Sequence, residues 1–170
     1  LTFAPQDKVR ASYAPSVSVS KLTEEQSTRM RRLLGNIDYL SCREEEGAEL
    51  LRELTGREVD TVLDPVFLLS NSQWSQLAEP VEHPDRYLLQ YTIGDRAIHR
   101  DYIQRLADQL DMPVVSIPCV PMDMNTKNTE KRWVGPGGFL SLICDAELVC
   151  TDSFHGTALS ILFKKSVYSF

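Results

Sequence analysis

The chain has 170 residues, of which 42% are hydrophobic and 25% charged, and its formal net charge is -6. These are the proportions of soluble globular protein, enough for one domain or two small ones. The acid excess, with no basic stripe to offset it, excludes a nucleic-acid binder. No apolar run is long enough to cross a bilayer, and no signal-peptide pattern opens the chain. The sequence starts abruptly and ends on a strand pattern, so both ends are expected to continue in a longer parent protein. Cys42, Cys119, Cys144 and Cys150 show no CxxC spacing. They read as reduced core thiols of a cytoplasmic protein.

In chain order, Val9 to Ala14 reads as a short strand stopped by Pro15. Thr23-Glu24-Glu25-Gln26 is a capping box that opens a helix, with Met30, Leu33, Leu34 and Ile37 at helical spacing. Asp38 to Cys42 is a second strand. A second helix follows Arg43, with Gly47, Leu50, Leu51 and Leu54 on one face and Gly56 as its stop. Val59 to Leu63 is a third strand, closed by Asp64-Pro65. Phe67 to Ala78 reads as a loop with a helical turn around Trp74. Glu79 to Asp85 (EPVEHPD) has little to bury and reads as a linker.

Arg86 to Ile93 restarts with a strand. Asp95 is the expected N-cap of a helix that carries His99, Tyr102, Ile103, Leu106 and Leu110 on one stripe. Pro113 to Pro118 is a buried strand, and Cys119 to Trp133 reads as a mobile loop over a site. Gly135-Pro136-Gly137-Gly138 breaks the chain before a short helix from Phe139 to Ala146. Glu147 to Cys150 is a strand, Thr151 to Gly156 a polar turn, Thr157 to Phe163 a helix and Ser166 to Phe170 a last strand. Strands alternating with helices predict βαβ units and parallel sheets. The expected organisation is α/β, with two Rossmann-like half-domains. Residues 1–79 are the C-terminal part of the first, 80–85 a linker, and 86–170 the N-terminal part of the second.

The Asp152-Ser153-Phe154-His155-Gly156 turn concentrates the chemistry. Ligands of open α/β sheets bind outside the carboxyl ends of strands, where helix N-termini favour anions. His155 is the candidate general acid or base. Ser153 can cap the helix or bind an anion, Gly156 allows close backbone approach, and Thr157 offers a hydroxyl. Asp152 either holds the turn or orients His155. Arg43, where a strand meets a helix, either grips a carboxylate or phosphate or pairs with Glu44 to Glu46 or Asp64. Asp64 before Pro65 reads as a turn former. His83 and His99 have no ligand-type company, and no residues show metal spacing. Trp74, Trp133 and Tyr91 could stack on a sugar, with core packing the default.

Tyr13-Ala14-Pro15-Ser16, Ser41-Cys42-Arg43-Glu44 followed by GAELLRELTG, and Val62 to Leu69 with Trp74 resemble the polysaccharide pyruvyl transferase family. So do Leu88 to Tyr91, Phe139 to Ile143 and, above all, Glu147 to Ser160. The resemblance covers almost the whole chain in order. It implies a GT-B-like pair of Rossmann-like domains facing across a cleft, and no cofactor beyond the donor substrate. The implied reaction moves pyruvate from phosphoenolpyruvate onto two hydroxyls of a sugar of a surface or exopolysaccharide or of its lipid-linked precursor. The place implied is the cytoplasm or the inner face of the membrane. His155 and Arg43 become the implied catalytic pair; Asp152, Ser153, Phe154, Gly156 and Thr157 become the substrate-binding set. Some relatives carry an Arg close to this His, where this chain has Phe154. The alternatives are a GT-B glycosyltransferase using a nucleotide sugar, or a catalytically inactive binding domain of the same fold.

Overall fold

The computed structural model describes residues 5, 7–94, 97–119 and 129–170. The chain divides into two units, Leu1–Leu68 and Leu69–Phe170. The break in composition at 80–85 lies further on, because the residues before it belong to the second unit. There α3 (Asn71–Ser75) packs against α5 (Pro136–Asp145), and the Glu79 amide donates to the Gly137 carbonyl.

The first unit runs β1 (Ala11–Ser12), α1 (Glu24–Leu34), β2 (Tyr39–Cys42), α2 (Glu45–Thr55) and β3 (Asp60–Thr61). Its three strands are parallel, in the order β1-β2-β3. Thr23 opens α1 through the full capping box foreseen from its sequence. Gly56 closes α2 at φ 66°, a left-handed conformation that glycine adopts without steric cost. Leu40 and Cys42 of β2 meet Ala48 and Leu51 of α2, with Met30 and Leu34 of α1 packed against them. Both helices therefore serve one small core.

The second unit adds β4 (Leu88–Tyr91), α4 (Ala97–Leu110), β5 (Val114–Ser116), β6 (Thr129–Lys131), α5, β7 (Leu148–Thr151), α6 (Phe154–Leu162) and β8 (Ser166–Ser169). Its five strands are all parallel, in the order β6-β5-β4-β7-β8. Central strands of such a sheet are covered on both faces and read as continuous apolar runs. On one face Leu88, Val114 and Cys150 pack against Ile103 and Ala107 of α4. On the other, the Tyr87 hydroxyl donates to the Leu142 carbonyl of α5 and Tyr91 sets its ring edge against Phe139. Burial pushes the Cys150 thiol up to about 12, so it is a protonated, inert core group.

Several boundaries differ from expectation. The expected N-cap Asp95 and residues 120–128 of the expected loop lie outside the described residues. The described end of that loop is strand β6, paired to β5. Pro136, Gly137 and Gly138 do not break the chain; they are the first turn of α5. A Cβ at Gly138 would stand 2.9 Å from Val134 and Val81, so these glycines serve close packing. Cys119 and Trp133 are exposed rather than core residues.

Candidate functional site

Strand β4 comes first in the second unit, yet it lies in the middle of the sheet. The chain moves outward from it through β5 and β6, then returns to the other side through β7 and β8. The order reverses between β4 and β7. The crevice at the carboxyl ends of these two strands is the place where open α/β sheets hold ligands. The segments bordering it are the one after Tyr91 and the one from Thr151 into α6.

The start of α6 is fixed by hydrogen bonds local to the sequence. The Gly156 amide donates to Ser153 Oγ at 3.3 Å, and the Thr157 amide to the Ser153 carbonyl at 2.9 Å. Ser153 is thus the N-cap, and the helix begins at Phe154 rather than at the expected Thr157. Phe154, His155 and Gly156 form its first turn instead of a connecting loop. The Ser153 amide donates to Thr151 Oγ1 at 3.0 Å. A Cβ on Gly156 would lie 2.6 Å from that same hydroxyl oxygen. Gly156 therefore lets the helix rest directly on the end of β7.

His155 and Phe154 are exposed, with their rings edge to face at 5.2 Å. His155 thus stands at the positive end of the helix dipole with a side chain open to solvent. The hydroxyl of Thr157 donates to Ser169 Oγ at 3.2 Å. Asp152 bonds the segment after β4. Its Oδ1 accepts from the Ile93 amide at 2.7 Å and its Oδ2 from the Gly94 amide at 3.0 Å. The carboxylate clasps the two sides of the crevice together.

In the first unit, Arg43 bonds Asp64 Oδ2 at 2.6 Å through Nη1 and Glu44 Oε1 at 2.9 Å through Nε. Of the alternatives open for Arg43, the ion pairs are present. Asp64 is 5% exposed and also accepts from the Val66 amide at 3.0 Å, which is its turn-forming role. Glu44 is held below the usual carboxylate range. Partial burial opposes that shift, but bonds from Ser16, Arg43, Cys42 and the Val17 amide outweigh it.

Four polar groups at the crevice escaped the sequence reading as candidates. Gln90, Thr92 and Ser116 are 3%, 1% and 1% exposed, and among the described residues Gln90 Nε2, Thr92 Oγ1 and Ser116 Oγ have no hydrogen-bond partner. His99, in the first turn of α4, stacks on Phe170 at 4.2 Å. Its Nδ1 is 3.9 Å from Asp152 Oδ2, beyond hydrogen-bond reach, and is likewise unpartnered. A signal was available. LLQ of β4 and VVS of β5 both place a polar residue third in a buried apolar run, and those two positions are register partners. Tyr91 also belongs here. Burial pushes its phenol up, the Cys119 thiol adds to this, and a bond with the Ser153 side chain opposes it. Among the described residues no cluster of His, Cys, Asp and Glu could hold a metal ion, and no helix is long and apolar enough to cross a membrane.

Two all-parallel α/β units, one of them doubly wound about a central first strand, define a Rossmann-like protein of the GT-B-like class. The family model described as polysaccharide pyruvyl transferase matches residues 1–170, the whole chain, and the chain belongs to that family. Membership indicates a transferase with polysaccharide pyruvyl transferase function and a sugar acceptor. No curated protein matches the chain.

Proposed function

We propose that the protein transfers pyruvate from phosphoenolpyruvate to two hydroxyls of a sugar, forming a ketal. The acceptor would be a residue of a surface or exopolysaccharide or of its precursor, lipid-linked or free. The reaction would run in the cytoplasm, at the inner face of the membrane where the acceptor is lipid-linked. The observation that carries this reading is the first turn of α6, where an exposed His155 stands on a helix N-terminus at the topological switch point.

The helix dipole there favours one anionic group of the donor. His155 protonates the methylene carbon, C3, which leaves an oxocarbenium-like centre at C2. One sugar hydroxyl adds to C2 and gives its proton to His155, restoring the acid. The C2–O bond to phosphate breaks, and phosphate departs with its electron pair. The second hydroxyl then closes the ketal, and its proton leaves with the phosphate. Ser153 and Gly156 support this through the geometry of the turn, and Thr157 and Phe154 border it. Arg43 remains assigned to the donor as a stabilising cation. Its ion pairs mean that a donor role must add to a structural one.

His155→Ala should lower turnover by about 10²–10⁴-fold, the usual range for a lost general acid, while donor affinity changes far less. Near wild-type pyruvyl transfer by that variant would remove His155 from the chemistry. Phosphoenolpyruvate should protect the protein against heat; protection by a nucleotide diphosphate sugar instead would favour a glycosyltransferase. Phe154, 46% exposed where some relatives carry a charge, favours a second reading as a binding domain. Donor protection without any turnover on sugar acceptors would establish that one.

A further inference from the structure

Among the described residues the four groups at Gln90, Thr92, Ser116 and His99 are unpartnered. Side chains two apart on a strand share a face, so Gln90 projects as Leu88 does, towards α4, and Thr92 follows directly on the end of β4. Ser116 is the register partner of Gln90 on β5 and projects with it, as Val114 does with Leu88. His99 lies one turn before Ile103 on α4, the residue that packs on Leu88, and its ring is held by Phe170. The register therefore sets the Gln90 amide beside the Ser116 hydroxyl, with the Thr92 hydroxyl just past the end of β4 and the His99 imidazole one turn before Ile103 on the covering helix. They lie beside the crevice but on the opposite sheet face from α5. Their donor and acceptor capacities select the ligand. The Gln90 amide nitrogen can only donate, and both hydroxyls and the imidazole can donate as well. A group that satisfies all of them together is rich in acceptors and brings few protons, as a carboxylate is.

We propose that Gln90, Thr92, Ser116 and His99 form a subsite for a small carboxylate. Resting on the pyruvyl-donor reading, this is the place of the donor's carboxylate. The Asp152 carboxylate, 3.9 Å from His99 Nδ1, accepts from the Ile93 and Gly94 amides.

The test is calorimetric titration of the whole chain with pyruvate, inorganic phosphate and phosphoenolpyruvate in turn. The variants are Gln90→Leu and Thr92→Val, near-isosteres that remove an unpaired donor and so should fold, with melting temperatures at or above the wild type. Each should weaken pyruvate and phosphoenolpyruvate by about 10–100-fold, the weight of one hydrogen bond to a charged group, and leave phosphate unchanged. Unchanged affinity for pyruvate and phosphoenolpyruvate in both variants, with a raised melting temperature, would assign these groups to a buried water and overturn the subsite. Equal weakening of all three ligands would overturn it too, since that indicates a general distortion. If the wild type binds pyruvate but not phosphoenolpyruvate, and Gln90→Leu abolishes that binding, the subsite stands and the donor reading falls. Binding of none of the three overturns both.

Discussion

The two units treat the polar ends of their strands in opposite ways. In the first, the residues after β2 satisfy one another. Arg43 bridges Glu44 and Asp64, Glu44 takes the Ser16 hydroxyl and the Val17 amide, and Asp64 takes the Val66 amide. In the second, among the described residues, the strand ends leave buried donors at Gln90, Thr92 and Ser116 unmatched and present His155 outward. A buried polar group without a partner costs about 1–3 kcal/mol, so a fold keeps several together only where something else meets them. The contrast separates a strand end organised for stability from one organised for a ligand.

Three measurements can break or sharpen that contrast. The largest effect is expected from Arg43→Ala. It removes the ion pair of the 5%-exposed Asp64, and should cost about 2–4 kcal/mol by denaturant unfolding. The Asp64→Asn, Arg43→Ala double variant should recover part of that loss. If Arg43→Ala leaves stability intact and weakens the donor instead, the first unit's strand end is a ligand site and the contrast fails. Next comes Gly156→Ala. Its Cβ would meet Thr151 Oγ1 at 2.6 Å, so a penalty of about 1–3 kcal/mol is expected, together with a displaced first turn of α6. Adding Thr151→Ser, which keeps the hydroxyl but removes the methyl, should relieve only part of it. Full wild-type stability in Gly156→Ala would show that helix and strand do not fit as closely as described.

The smallest effect is acid sensitivity through Glu44. Its folded carboxyl titrates below the ordinary 4.5, so its stabilising contribution is fully present above that value. The contribution is lost as pH falls from there through the depressed folded value. Glu44→Gln should flatten the stability profile in that acid window and leave it unchanged near neutrality. An identical acid profile in the variant would mean that the bonds to Ser16 and Arg43 contribute nothing in solution.

Much of the fold was legible because its signals are local. The capping box at Thr23, the stop at Gly56 and the apolar runs of β4, β5 and β7 each depend on a few adjacent residues. The start of α6 was misjudged for the same kind of reason. Ser153 reads as a possible cap, but the polar run Thr151 to Gly156 reads as a turn, and Gly and His are weak helix formers. Capping and contact with Thr151 overrode that weak preference. Asp152 and His99 were opaque for a different reason. The partners of Asp152, Ile93 and Gly94, are 59 and 58 residues away, and only the strand order brings them together. Gln90 and Ser116 lie between these cases. Each is visible as a polar residue in an apolar strand, but their adjacency requires the β4–β5 register.

The central position of β4 also has a kinetic side. Its pairing with β5 closes a span of 26 residues (Leu88 to Val114), whereas its pairing with β7 closes one of 60 (Leu88 to Leu148). Closing the longer loop costs more chain entropy, and long-range parallel pairing is intrinsically slow. The crevice exists only once β7 has docked beside β4 and Asp152 has found the two amides. A nascent chain that has made β4, α4 and β5 can already bury Leu88 against Ile103, yet it has no α6 and no crevice. Ligand affinity at this sheet therefore reports on the completion of folding in the second unit, and a ligand bound there stabilises the step that closes the longest loop.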